Sequence, residues 1–154
     1  MSEPGLSRCL NVPDGMNLEE ACARAERRLA RLAPRAIEEV WESVRAIGDL
    51  ASRLEGVPPQ QARVELHALS CNVAGLAGAF GREALGKVAY SLCRLIDETE
   101  PGWSSEATAL HIQAMRHLCM PQGTPVETQE KIVEGLVKVR LRLADESRRL
   151  PPTR

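Results

Sequence analysis

Apolar residues recur every three or four positions along most of this chain, the period of helices lying against a core. Asn17-Leu-Glu-Glu20 opens the first such stretch, with an Asn cap and a carboxylate three positions on. Leu18, Ala21, Cys22, Ala25, Leu29 and Leu32 follow at helical spacing up to Pro34, which is expected to break or restart the helix. A second helix over 35–54 places Ile37, Val40, Trp41, Val44, Ala51 and Leu54 inward, and Gly56-Val-Pro-Pro59 stops it. A third is predicted over 60–79, ended by Gly81, and a fourth over 82–98 with Leu85, Val88, Ala89, Leu92 and Leu95 on one stripe. Almost no loop separates these two, so they should form an antiparallel hairpin. A fifth helix covers 105–118 and stops at Pro121-Gln-Gly123. Thr124-Pro-Val-Glu127 then reads as a cap: Thr at the cap, Pro at the first helical position, Glu at the third. The sixth helix runs on to 149, with Ile132, Leu136, Val139 and Leu143 inward.

No stretch alternates with period two, and no internal repeat is visible. The pattern predicts an all-α fold: an antiparallel four-helix bundle with additional N-terminal helical segments, or with a helix split by Pro34. Residues 1–16, holding Pro4, Gly5, Pro13 and Gly15, read as a mobile arm, and 17–150 as one domain. At 154 residues and 44% hydrophobic content the chain can build a real core, but only 3% is aromatic. Ala, Leu and Val must therefore do the packing.

A net charge of -1 at pH 7 argues against nucleic acid or an anionic membrane as the main partner. No apolar run is long enough to span a bilayer, and the first 16 residues lack the apolar core of a signal peptide, so a cytoplasmic location is expected. Cys9, Cys22, Cys71, Cys93 and Cys119 are odd in number and scattered, which argues against a disulfide framework. His67 and Cys71, four apart, are half of a zinc site, but two further ligands are not visible nearby, and no metal or cofactor is expected. His111 and His117, six apart, share no helix face. The Arg-rich runs interleave with acids and aliphatics, as solvated helix faces do.

The third helix has two unlike faces. Ala62, Leu66, Leu69, Val73, Ala77 and Phe80 form the core stripe. Opposite lie Gln60, Val64, His67, Cys71, Ala74, Gly75 and Gly78, with no charge anywhere between Glu65 and Arg82. An ordinary solvent face would carry Lys, Glu and Arg. Glycine inside a helix costs roughly 1 kcal/mol relative to alanine, so two on one face need a reason. Close packing of a neighbouring helix is one; a flat face kept for a partner protein is the other.

The run Cys71-Asn-Val-Ala-Gly75-Leu-Ala-Gly-Ala-Phe-Gly81 resembles the core motif of histidine-phosphotransfer (HPt) domains. That motif has histidine, then an aliphatic residue at +2, lysine at +3 and glycines at +4 and +10. These positions hold Cys71, Val73, Ala74, Gly75 and Gly81. Phe80-Gly81 and Ser91-Leu-Cys-Arg-Leu95 match one subgroup further, and the resemblance is best over 62–97.

HPt domains pass a phosphoryl group between an imidazole and the aspartates of receiver domains. The resemblance implies a docking surface of Val64, His67, Cys71, Ala74, Gly75 and Gly78 for a receiver domain or histidine kinase of a bacterial phosphorelay. It does not carry over the chemistry, because Cys71 replaces the acceptor histidine and Ala74 the lysine. Cys71 sits mid-helix with no Lys or Arg nearby in sequence, so it is expected to rest as a thiol and to be a small, half-buried side chain. Two other readings stand beside the degenerate docking protein. One is active phosphotransfer through His67, a turn earlier on the same face, where Ser70, Cys71 and Ala77 would replace lysine and the two glycines. The other is a helical adaptor unrelated to phosphorelays, in which Gly75 and Gly78 pack inside the chain. No phosphate-cradling loop, zinc-protease motif or paired-carboxylate site supports an enzyme of small molecules.

Overall fold

The structure is a computed structural model that describes residues 17–53, 58–99, 103–120 and 123–149. It is an all-α helical bundle, and no strand occurs among the described residues. The helices are α1 (Leu18–Ser52), α2 (Gln60–Ala79), α3 (Glu83–Glu98), α4 (Ser105–Leu118) and α5 (Val126–Arg149). The expected arm over 1–16, the turn residues 54–57, 100–102 and 121–122, and the end at Pro151 lie outside the described residues.

α1 corrects one expectation. It runs unbroken through Pro34, which neither ends nor restarts it. A proline removes one backbone N–H and frees the carbonyl four residues back, at Ala30. Both residues are exposed, so water can satisfy that carbonyl. The Asn17 cap forms as expected, its Oδ1 accepting from the Glu20 N–H at 2.8 Å. The chain divides into two compact units between Arg35 and Ala36. In the first, the periodic residues Leu18, Leu29 and Leu32 are exposed rather than buried.

The second unit holds the core. Val40, Val44 and Ile47 of α1 join Leu66, Val73 and Ala77 of α2, Leu85, Val88, Ala89, Leu92, Leu95 and Ile96 of α3, and Ile112, Met115 and Leu136 from α4 and α5. α3 is the central helix, packing against α2, α4 and α5. Its sequence explains this: apolar or small residues occupy more than one face, and Leu85, Gly86, Val88, Ala89, Ser91, Leu92, Cys93, Leu95 and Ile96 are all buried.

The α2–α3 connection is fixed by backbone chemistry. Gly81 takes the left-handed conformation, φ +77°. The Arg82 N–H reaches back to the Ala77 carbonyl at 2.8 Å and the Gly81 N–H to the Gly78 carbonyl at 3.4 Å, a Schellman turn. α3 then comes so close to α2 that a Cβ on Gly86 would lie 3.3 Å from the Gly78 nitrogen and 3.4 Å from the Ala74 carbonyl oxygen.

α5 starts at Val126, and its cap differs from the expected box. Gln129, not Glu127, reaches back, its Nε2 donating to the Thr124 carbonyl at 2.6 Å. Glu127 pairs with Lys131 instead.

Two polar groups inside the bundle are satisfied in ways that matter for stability. His111 of α4 is fully buried. The Ala107 carbonyl can only accept, so His111 Nδ1–H donates to it at 2.7 Å, and Nε2 accepts from the Ser91 hydroxyl at 3.0 Å. Burial, with Arg140 nearby, holds the imidazole pKa below its ordinary value. The unfolded chain therefore takes up a proton that the folded one refuses. Stability should be full above the ordinary histidine range of about 6.5 and fall as pH drops through it toward the lower folded value. Urea unfolding of wild type and His111→Asn between pH 5 and 7 should show this slope in the former and a flatter one in the latter.

The second group is the carboxylate of Glu98 at the end of α3. It accepts from Arg94 one turn back and from Arg140 Nη1 of α5 at 2.5 Å. Burial pushes this carboxyl up, but the bonds from Arg94 and Arg140 prevail and hold it below the usual carboxylate range.

Candidate functional site

The two faces of α2 separate much as its sequence proposes. Leu66, Val73 and Ala77 are buried, and Ala62, Leu69 and Phe80 are half-buried. Ser70 and Arg63 are buried with them. The Ser70 hydroxyl is satisfied by the Leu66 carbonyl at 2.7 Å, and the Arg63 guanidinium lies over the Trp103 ring.

On the other face Gln60, Val64, Cys71, Gly75 and Gly78 are exposed, while His67 and Ala74 are half-buried. Cys71 is thus more open than the half-buried thiol expected of it. Gly75 and Gly78 would each accept a Cβ with no heavy atom within 4 Å. The glycines that do serve internal packing are Gly86 of α3, against α2, and Gly48 of α1, against the Arg116 guanidinium, neither of which sequence reasoning had singled out.

α3 completes this face with side chains the α2 sequence cannot reveal. Ala74, Gly78, Glu83, Gly86, Lys87 and Tyr90 line a groove of about 340 Å³. Tyr90 is 58% exposed at its edge. Lys87 brings a cation to a groove whose α2 wall has Ala74 at the resembled lysine position.

One turn toward the N-terminal end of α2, the hairpin assembles a polar cluster. Cys71 Sγ lies 3.3 Å from Cys93 Sγ and 3.7 Å from His67 Nδ1. His67 Nε2 lies 3.3 Å from the Asp97 carboxylate. A carboxylate can only accept, so an Nε2–H donates to Asp97, and the Cys71 sulfur sits beside the ring, 3.7 Å from Nδ1 and 3.9 Å from Nε2. Cys93 is buried, and its thiol also approaches the His67 carbonyl at 3.8 Å. Burial, then the neighbouring Cys71 and Asp97, push the Cys93 thiol above the ordinary cysteine range.

His67, Cys71 and Cys93 are the described residues whose donor atoms all fall within 4.8 Å of one another. The sequence exposed half of this cluster, the His67–Cys71 pair. Cys93 and Asp97, also four apart, were missed as its complement. The signal was the hairpin itself: Cys71 and Cys93 are 22 residues apart, His67 and Asp97 are 30 apart, and both pairs centre on Arg82.

Of the other histidines, His111 is buried and His117 exposed, and neither joins this cluster. No helix among the described residues is long and apolar enough to cross a membrane. No family model, curated protein or solved structure matches the chain.

Proposed function

We propose that this chain is a degenerate HPt-like binding protein of a bacterial two-component phosphorelay. It docks a receiver domain or a histidine kinase through the uncharged face of α2 and carries no phosphate itself. The observation that supports this is the exposure of Cys71, Gly75 and Gly78 along one face. Neither glycine has a neighbour that a methyl group would touch, so internal packing gives no reason for glycine at these positions. Two helix-interior glycines cost roughly 1 kcal/mol each. A partner backbone laid flat against them is a use that offsets the cost. The adaptor reading needs Gly75 and Gly78 packed within the chain; the Gly78 backbone does lie against Gly86, but a Cβ on either glycine would meet no heavy atom within 4 Å.

Phosphate transfer asks for a nucleophile at the centre of the face. Cys71 supplies a thiol there, and the His67 ring is held by Asp97 on one side and Cys71 on the other. The test is incubation with receiver–kinase pairs from the same genome and labelled ATP. The chain should bind a receiver or kinase and retain no label. Stable label, abolished by His67→Ala or Cys71→Ser, would overturn the proposal in favour of active transfer. Gly78→Arg should leave the melting temperature within a few degrees of wild type, because its side chain projects into open space, and should abolish partner binding. A large fall in melting temperature for this variant would count for the adaptor reading instead.

A further inference from the structure

We propose that His67, Cys71 and Cys93 form a binding site for a thiophilic divalent cation of the zinc class. In this site Asp97 supports the imidazole from behind and a fourth position is open to solvent. The site shares His67 and Cys71 with the docking face, but its argument does not rest on the docking reading.

The donor set comes first. Two sulfurs and one imidazole nitrogen are what borderline-soft cations such as Zn²⁺ and Co²⁺ take, and what Mg²⁺ and Ca²⁺ reject.

The spacing comes second. Zn–S bonds of about 2.3 Å and Zn–N bonds of about 2.0 Å place tetrahedral sulfurs about 3.8 Å apart and a sulfur and nitrogen about 3.5 Å apart. Cys71 Sγ lies 3.3 Å from Cys93 Sγ and 3.7 Å from His67 Nδ1. All three donors fall within 4.8 Å, and a common centre requires side-chain rotation that opens the sulfur pair by roughly half an ångström.

The orientation of His67 is the third point. Its Nε2 lies 3.3 Å from Asp97, so Nε2–H can donate there and leave Nδ1 as the free ligand atom; Cys71 Sγ is 3.7 Å from Nδ1 and 3.9 Å from Nε2, so a turn of the ring is needed to aim Nδ1 at the thiols. A carboxylate behind the imidazole fixes the tautomer and raises the basicity of the ligating nitrogen, as in carboxylate–histidine–zinc arrangements.

The scaffold is the fourth. Each helix contributes one i, i+4 pair, and such pairs lie on one helix face. The close approach of Gly86 to the α2 backbone and the turn at Gly81 hold the two pairs opposite each other. Ligands on two rigid, packed helices are preorganised better than ligands on loops. Cys71 is exposed and Cys93 buried, so the cation has a route in from solvent and an anchor beneath it.

Binding forms two metal–sulfur bonds and one metal–nitrogen bond. The two thiol protons leave to solvent, so a dication and two thiolates give a neutral centre in the protein. With three protein ligands, water fills the remaining tetrahedral position.

The test uses the full chain, reduced with a non-chelating phosphine and titrated with Co²⁺ and then Zn²⁺. One equivalent of Co²⁺ should produce the visible bands of a tetrahedral site and a near-ultraviolet sulfur-to-cobalt charge-transfer band, both bleached by Zn²⁺. Cys71→Ser and Cys93→Ser should each lose charge-transfer intensity and bind far more weakly. Asp97→Asn should keep the cobalt spectrum while weakening affinity about 10–100-fold, the effect expected of an outer partner of a ligating histidine. An internal control comes from alkylation read by mass spectrometry. Zinc should protect Cys71 but not Cys22, which is also exposed. Circular dichroism on every variant separates a lost ligand from a lost fold. The proposal is overturned if folded, reduced protein binds no cobalt. It is also overturned if Cys71 is alkylated as fast as Cys22 under zinc, if the Co²⁺ spectrum survives both serine variants, or if Cys71 and Cys93 are recovered as a disulfide that zinc does not prevent.

Discussion

Glu98→Ala should lower the unfolding free energy by roughly 1–3 kcal/mol, since removing one member of a half-buried ion pair leaves the other without its partner. Glu98 and Arg140 are only 12% and 14% exposed, and their bond joins the end of α3 to α5. Arg140 already has a buried Nε with no partner among the described residues. Without Glu98 its guanidinium would lose this ion-pair partner and gain nothing in exchange. The cost arises from the stranded charge rather than from the intrinsic strength of the pair. The double variant Glu98→Leu/Arg140→Leu should therefore recover much of the loss, because two apolar residues of similar size leave no orphan. The folded pKa of Glu98 lies below its unfolded value. Its contribution is therefore present above the ordinary carboxylate range and is lost as pH falls through the lower folded value. Denaturant unfolding at neutral pH and again near pH 3 would check both statements, with the gap between wild type and Glu98→Ala narrowing in acid.

The second large effect separates glycines that look alike in sequence. Gly86→Leu should destabilise the protein by about 3 kcal/mol, the upper end of ordinary overpacking costs, because the obstacle is backbone that cannot rotate away. Its Cβ alone would sit 3.3 Å from the Gly78 nitrogen. Gly75→Ala and Gly78→Ala should do the opposite. Each replaces glycine with the best helix former in open space and should raise stability by up to about 1 kcal/mol. Thermal melts of the three single variants, run side by side, test this. Equal destabilisation by all three would mean that α2 packs its glycines inward.

These contrasts show what the amino-acid order reveals and what it hides. The extents of α2 and α4 are legible because their boundaries are chemical: Pro59 before one, Gly81 after it, and Ser104 capping the other through the Ala107 N–H at 3.3 Å. The central place of α3 is less legible: its sequence shows one stripe of Leu85, Val88, Ala89, Leu92 and Leu95, and the burial of Gly86, Ser91 and Cys93 that widens it comes from packing against neighbouring helices. Pro34 misleads because a proline in a long, exposed helix costs one hydrogen bond, and neighbouring turns on both sides can outweigh that. The stripe from Leu18 to Leu32 misleads in another way. Periodicity shows that a face is apolar, but not that anything covers it.

The candidate site divides along the same line. His67, Cys71, Gly75 and Gly78 share one helix, and a helical wheel places them on one face. Cys93, Asp97, Lys87 and Tyr90 come from the next helix. Their positions depend on the register between two helices, which the sequence specifies only through the length and geometry of the turn.

That turn carries a consequence for how the gene can vary. Cys71 with Cys93, His67 with Asp97, and Gly78 with Gly86 are all arranged symmetrically about Arg82. Inserting or deleting one codon between Phe80 and Glu83 would rotate α3 by about 100° about its axis relative to α2. All three pairings would be lost together, although none of the paired residues had changed. Substitutions can test these positions one at a time, whereas a change in length tests them together. The short link between α2 and α3 is thus a length-sensitive part of the gene, and related chains that keep the cluster should also keep the number of residues between Cys71 and Cys93.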